Sequence, residues 1–104
     1  MNTLAIGDRV SLTKEALSLS YVKGRHWYTD VYEGKTGTII GYTADCSKLA
    51  IQFDEKIFTR PNGQISSHDN GCHGKGKRQY SWYFPICCVT KIKVVNNNKL
   101  LLLL

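Results

Sequence analysis

Gly34-Lys35-Thr36-Gly37-Thr38-Ile39-Ile40-Gly41-Tyr42-Thr43-Ala44-Asp45-Cys46-Ser47-Lys48-Leu49-Ala50-Ile51-Gln52-Phe53-Asp54-Glu55 is the stretch from which the rest of the chain can be read. Gly34 to Gly37 has the composition of a turn, and Thr38 to Tyr42 is β-branched and aromatic, the side chains that suit a pleated, half-buried surface. Thr43 to Lys48 is a polar reversal. Leu49, Ile51 and Phe53 then alternate with Ala50 and Gln52, which puts the three largest apolar side chains on one face of a strand. Asp54-Glu55 ends it. The spacing predicts a β-hairpin with one apolar face.

Working toward the N-terminus, residues 14–35 form a long excursion with no sustained period. Lys14 to Leu19 suits one helical turn, while the aromatics that follow look extended and Gly24 and Gly34 interrupt them. Before the excursion, Val10 and Leu12 alternate with Arg9, Ser11 and Thr13, so Asp8 to Thr13 predicts a half-buried strand. Ile6-Gly7-Asp8 is a turn into it.

Toward the C-terminus, a short strand-like piece from Lys56 to Arg60 runs into Pro61-Asn62-Gly63, a strong turn signal. The chain then stays polar and glycine-rich to Gln79, and the expectation is a surface loop that contributes nothing to a core. Tyr80 to Phe84 returns as an aromatic strand, Pro85-Ile86-Cys87-Cys88 predicts a tight helical turn, and Val89 to Val95 a last strand. Three asparagines, Lys99 and Leu100–Leu104 make a low-complexity tail over 96–104. The expected core is Val10, Leu12, Ile39, Leu49, Ile51, Phe53, Trp82, Phe84 and Val89.

A chain of 104 residues has room for one domain with one modest core, and 42% hydrophobic with 21% charged positions is ordinary globular composition. Asp8, Arg9, Lys14 and Glu15 interrupt the first fifteen residues, so no signal-peptide apolar region forms there. Nothing approaches the roughly 20 apolar residues of a membrane helix. The expected location is cytoplasmic. Cys46, Cys72, Cys87 and Cys88 follow no disulfide framework spacing, and reduced thiols fit that compartment.

The order of these segments resembles a known architecture. Gly7-Asp8-Arg9-Val10, then Gly34 to Ile40, then Leu49 to Asp54 is similar to the opening of small SH3-like barrels, including KOW-type domains. Trp82-Tyr83-Phe84-Pro85, with Val89 four residues beyond the proline, looks like their closing strand, tight turn and last strand. The likeness extends to small SH3-like barrel proteins of tailed phages. It implies an all-β barrel of five or six strands over 1–95, decorated by long loops at 14–35 and 61–79. Both loops exceed those of a minimal KOW unit, so the resemblance carries the fold further than the function.

Fourteen Lys and Arg against eight Asp and Glu give a formal charge of +6, which favours an anionic partner. Two windows concentrate that charge. In the first, Lys23 and Arg25 sit beside Trp27 and Tyr28, offering cations for phosphates and flat rings for bases, although Asp30 and Glu33 dilute the field. In the second, Lys75, Lys77 and Arg78 interleave with Gly74 and Gly76, giving unhindered amides beside charge. This is no P-loop, since the spacing into a helix is missing. The expectation is a non-catalytic protein that holds nucleic acid through these basic loops. If it is a phage protein, it works in the host cytoplasm.

The competing expectation is a protein-interaction module, an inhibitor or modulator of a host protein, with Tyr21, Trp27, Tyr32 and Trp82 lining an aromatic groove. Self-association through Leu100–Leu104 is a third possibility, because five exposed leucines favour docking. His68 and Cys72 are weak zinc candidates, since paired ligands of the C-x-x-C kind are missing. Cys72 with His68 or His73 makes a catalytic pair only on paper, for no orienting acid is evident. No cofactor is expected.

Overall fold

The computed structural model describes residues 4–19, 31–57 and 70–92. Five strands form one antiparallel sheet: β1 (Arg9–Leu12), β2 (Thr36–Tyr42), β3 (Lys48–Phe53), β4 (Ser81–Pro85) and β5 (Val89–Lys91). The spatial order is β4-β3-β2-β1-β5. Strands β1 to β4 run as a meander, and β5 returns to the free side of β1, with Leu12 opposite Val89. The helical content of the described residues is two turns of 3-10 helix, Lys14–Ser18 and Ile86–Cys88. The chain is therefore an all-β small domain. Among the described residues no ladder joins β4 to β5, the two ends of the sheet, and no helix is long and apolar enough to cross a membrane.

Alternation decides the core. Val10 and Leu12 of β1, Ile39 of β2, Leu49, Ile51 and Phe53 of β3, and Phe84 of β4 lie on one face and are buried together. The hairpin register places Ile39 opposite Ile51 and Gly37 opposite Phe53. A bulge between Ile39 and Gly41 inserts one residue, after which Tyr42 comes round opposite Leu49 and packs against the same cluster. Phe53 and Phe84 meet edge to face with ring centroids 5.5 Å apart. Trp82 is half-buried at the rim rather than enclosed, because β4 is an edge strand. Ala16, Val31, Ile57, Cys88 and Val89 complete the cluster. Of the vicinal cysteines, Cys88 enters the core and Cys87 is exposed.

Several element ends shift by one residue from expectation, and three places differ by more. β2 starts at Thr36, since Thr36 and Gly37 extend the ladder to Ser11 and Val10. β5 is confined to Val89–Lys91 among the described residues. Lys56 and Ile57 are not strand, although Ile57 is buried, and residues 58–60 lie outside the described set.

The hairpin reversal is tied by Asp45, whose Oδ1 accepts from the Thr43 hydroxyl (2.7 Å), the Ser47 amide (3.0 Å) and the Ser47 hydroxyl (2.8 Å). These bonds hold its carboxyl at a pKa of about 2. Across the other end of the sheet, Arg9 grips Asp54 through both terminal nitrogens, and the Thr36 hydroxyl donates to Asp54 at 2.7 Å. The Arg9 hydrogen bond, more than any other cause, draws the Asp54 carboxyl down to about 2. An unfolded aspartate titrates near 3.9, so the folded pKa is the lower one and the linked stability is present above about pH 4. It is lost as pH falls toward 2. Both side chains are more than one-third exposed, so the pair contributes on the order of 1 kcal/mol or less. Asp54→Asn should flatten the acid limb of a urea-midpoint versus pH curve between pH 4 and 2, and leave little changed in its shape above pH 5.

Candidate functional site

The opposite face of the sheet carries its own small apolar cluster: Ala50 of β3, Tyr83 of β4 and Cys72, with Ile40 of β2 packed against them. Cys72 arrives from residues 70–80, and Gly71 and Gln79 of the same segment are buried as well. This corrects the expectation of a loop that contributes nothing to a core. Its described half is a folded cover on the sheet.

The cover is held by its own hydrogen bonds. The Gly74 amide donates to the Asn70 carbonyl (2.9 Å), Gly76 to Gly71 (2.8 Å), and the His73 amide to Asn70 Oδ1 (2.9 Å). Gly71, Cys72, His73 and Gly74 all have positive φ, between 57° and 84°, which makes one left-handed turn. Such a conformation costs roughly 1–2 kcal/mol for each residue bearing a Cβ, so Cys72 and His73 store strain. Burial of Cys72 and docking of the turn offset it. Further on, the Lys77 amide donates to Gln52 Oε1 of β3 at 2.9 Å and the Tyr80 amide to the Lys77 carbonyl at 3.1 Å. Ser81, under the cover, is the one buried side-chain polar group among the described residues that has no hydrogen-bond partner.

These contacts fix where the cations stand. Lys75 lays its stem across Gly41, where a Cβ would come within 2.8 Å of its Cδ, and its ammonium donates to the Tyr83 hydroxyl at 3.3 Å. The same hydroxyl lies 2.7 Å from His73 Nδ1. Lys77 carries its ammonium 4.4 Å from the centre of the Tyr80 ring, a cation–π arrangement. Arg78 is exposed beside it. The three cations expected from the sequence therefore sit on one docked segment, two of them over tyrosines.

Beside Lys75 opens a cavity of about 490 Å³ lined by Tyr42, Thr43, Ala44, Lys48, His73, Lys75, Trp82 and Tyr83. Its rings come from β2 and β4, with the Trp82 and Tyr83 centroids 5.8 Å apart. Its cations come from β3 and the cover. No carboxylate lines it. Tyr42 and Lys48 were not singled out from the sequence. The available signal was their place at the two ends of the reversal, where a hairpin brings its flanks together.

Tyr32 stands elsewhere. It lines a second cavity of about 610 Å³ with Val31, Lys35, Asp54, Glu55, Lys56 and Tyr80. That lining mixes both signs of charge, and the Lys35 ammonium already sits 4.8 Å from the Tyr32 ring centre. The two cavities share no residue, so Tyr32 and Trp82 do not line one groove. Tyr21, Lys23, Arg25, Trp27, Tyr28, His68 and Leu100–Leu104 lie outside the described residues. Cys72, the other zinc candidate, is wholly buried in the cluster under the cover, and no group of three metal-ligating side chains occurs among the described residues. Compared with known proteins, the chain matches no family model, no curated relative and no solved structure.

Proposed function

We propose that this is a non-catalytic nucleic-acid-binding domain whose binding face is the docked segment 70–80 together with the end of the β2–β3 hairpin. The observation that carries the reading is the placement of Lys75 and Lys77 over tyrosines, next to Lys48 and an aromatic cavity free of carboxylates. Phosphates need fixed cations, and bases need exposed ring faces. Cations already seated lose less freedom on binding than cations on a wandering loop. Lys23, Arg25, Trp27 and Tyr28 extend the face in this reading.

The strand order suits an SH3-like barrel: a meander, one 3-10 turn after β4, and a last strand beside the first. Phage origin and work in the host cytoplasm go with that resemblance, and four cysteines outside any disulfide suit a reducing compartment.

The test is a titration of labelled single- and double-stranded DNA and RNA at two salt concentrations, with wild type and a Lys75→Gln, Lys77→Gln, Arg78→Gln triple variant. The expected result is binding that weakens at high salt. The triple variant should bind at least tenfold more weakly and show a shallower salt slope, because each phosphate contact contributes about 0.7–0.9 to that slope. No binding at low salt would overturn the reading and turn attention to a protein partner.

A further inference from the structure

We propose that the cavity between the hairpin end and the cover is a pocket for one unpaired nucleotide, and that the protein consequently prefers single strands to duplexes. This deepens the nucleic-acid reading and rests on it.

Three features of the cavity select the ligand. Its rings, Tyr42 of β2 with Trp82 and Tyr83 of β4, leave a volume within the few-hundred-Å³ range of small-molecule sites. Its charged side chains are Lys48 and Lys75, with His73 beside them and no acid, so the ligand is an anion. The two lysines also come from different elements, β3 and the cover, and share the cavity with the aromatic lining. A flat group flanked by a negative charge matches that arrangement. In a duplex the bases are stacked and paired, and only phosphates reach a surface of this shape. In a single strand a base can turn out and stack on aromatic side chains while its phosphate reaches a lysine.

The lining is also built to keep its form. Lys75 is seated on Gly41 and bonded to Tyr83, and Tyr83 is held in turn by His73. The Asp45 turn fixes Thr43 beside Lys48, whose amide donates to the Thr43 hydroxyl at 3.1 Å. Little of the pocket has to be ordered when a ligand arrives.

The chain has two tryptophans, Trp27 and Trp82, so a Trp27→Phe protein reports on the cavity alone. It would be titrated at low salt with single-stranded oligothymidylate and with a thymidylate–adenylate duplex of the same length, following tryptophan emission and, separately, anisotropy of a label on the nucleic acid. The expected result is quenching of Trp82 by the single strand and at least tenfold tighter binding of it than of the duplex. Lys48→Gln, a half-exposed change outside the docked segment, should weaken single-strand binding severalfold and lower the salt slope by about 0.7. Equal affinity for both forms with Trp82 emission unchanged would overturn the pocket while leaving the basic face standing. The wild-type protein is titrated in parallel by anisotropy, and its binding of neither form would remove both readings.

Discussion

Phe84→Ala should lower the unfolding free energy by about 3–5 kcal/mol, a large effect for a single truncation. The side chain is fully buried, pairs edge to face with Phe53, and stands opposite Leu49 across the β3–β4 ladder. Removing the ring takes away its transfer free energy and leaves a void at the centre of the main cluster. Relaxation cannot fill it easily, because Leu12, Ile39, Ile51 and Ile57 are each held by a separate strand or connection. A domain of this size has a total stability of only about 5–15 kcal/mol. A urea melt followed by circular dichroism should show the midpoint displaced by a large fraction of its wild-type value with an unchanged slope. A shift under 1 kcal/mol would mean that Phe84 is not at the centre of the core.

Gly71→Ala should act on the other face. Gly71 has φ +62°, and a Cβ there would lie 2.3 Å from the carbonyl oxygen of Gly76, in the same pair that closes the turn through the Gly76 amide. The obstacle is backbone against backbone, so no rotamer change relieves it. Left-handed backbone costs an alanine roughly 1–2 kcal/mol, and forced overpacking adds typically 1–3. The total cannot exceed the free energy of detaching the cover, for the segment will lift before the strands part. The expected outcome is therefore a modest loss of global stability beside a large loss of nucleic-acid affinity, approaching that of the triple cation variant although every cation is kept. Gly74→Ala is the control. Its φ is +84° but nothing lies within 4 Å of the added methyl, so only the conformational cost applies and binding should change little. If Gly71→Ala binds like wild type, the docked geometry of residues 70–80 is not what positions the cations.

The strands were legible because a half-buried sheet enforces a period of two. Val10 and Leu12, and Leu49, Ile51 and Phe53, repeat it without error, and those strands fall where the alternation puts them. The cover over the second face was not legible by the same rule, since its described stretch is polar and rich in glycine. The trace it left is elsewhere. Ile39-Ile40, Leu49-Ala50-Ile51 and Trp82-Tyr83-Phe84 each place apolar groups on consecutive positions, so both faces of the sheet needed covering. Among the described residues no α-helix does it, and the glycine-rich segment does it by one left-handed turn that anchors Cys72.

The site was legible in part for the same reason. Lys75, Lys77 and Arg78 declared themselves by local charge, which needs no knowledge of the fold. Lys48 and Tyr42 depend on the hairpin closing and on the bulge that turns Tyr42 back to the core face, and a register shift of one residue leaves little mark in composition. Tyr32 and Trp82, two of the four residues named for an aromatic groove, line separate cavities, because similar residues far apart in sequence say nothing about which end of a sheet each occupies.

Two exposed thiols stand beside two buried ones, one under each covered face, and this makes the chain its own chemical clock. Cys46 and Cys87 are exposed, while Cys72 is sealed under the cover and Cys88 in the main cluster, where burial above all pushes its thiol up to about 11. A disulfide reagent added to the native protein will consume two equivalents at once. The third equivalent, at Cys72, times the opening of the cover, and the fourth, at Cys88, times the parting of the strands. The two rates separate local release from global unfolding in one unlabelled sample, without a mutation in either face.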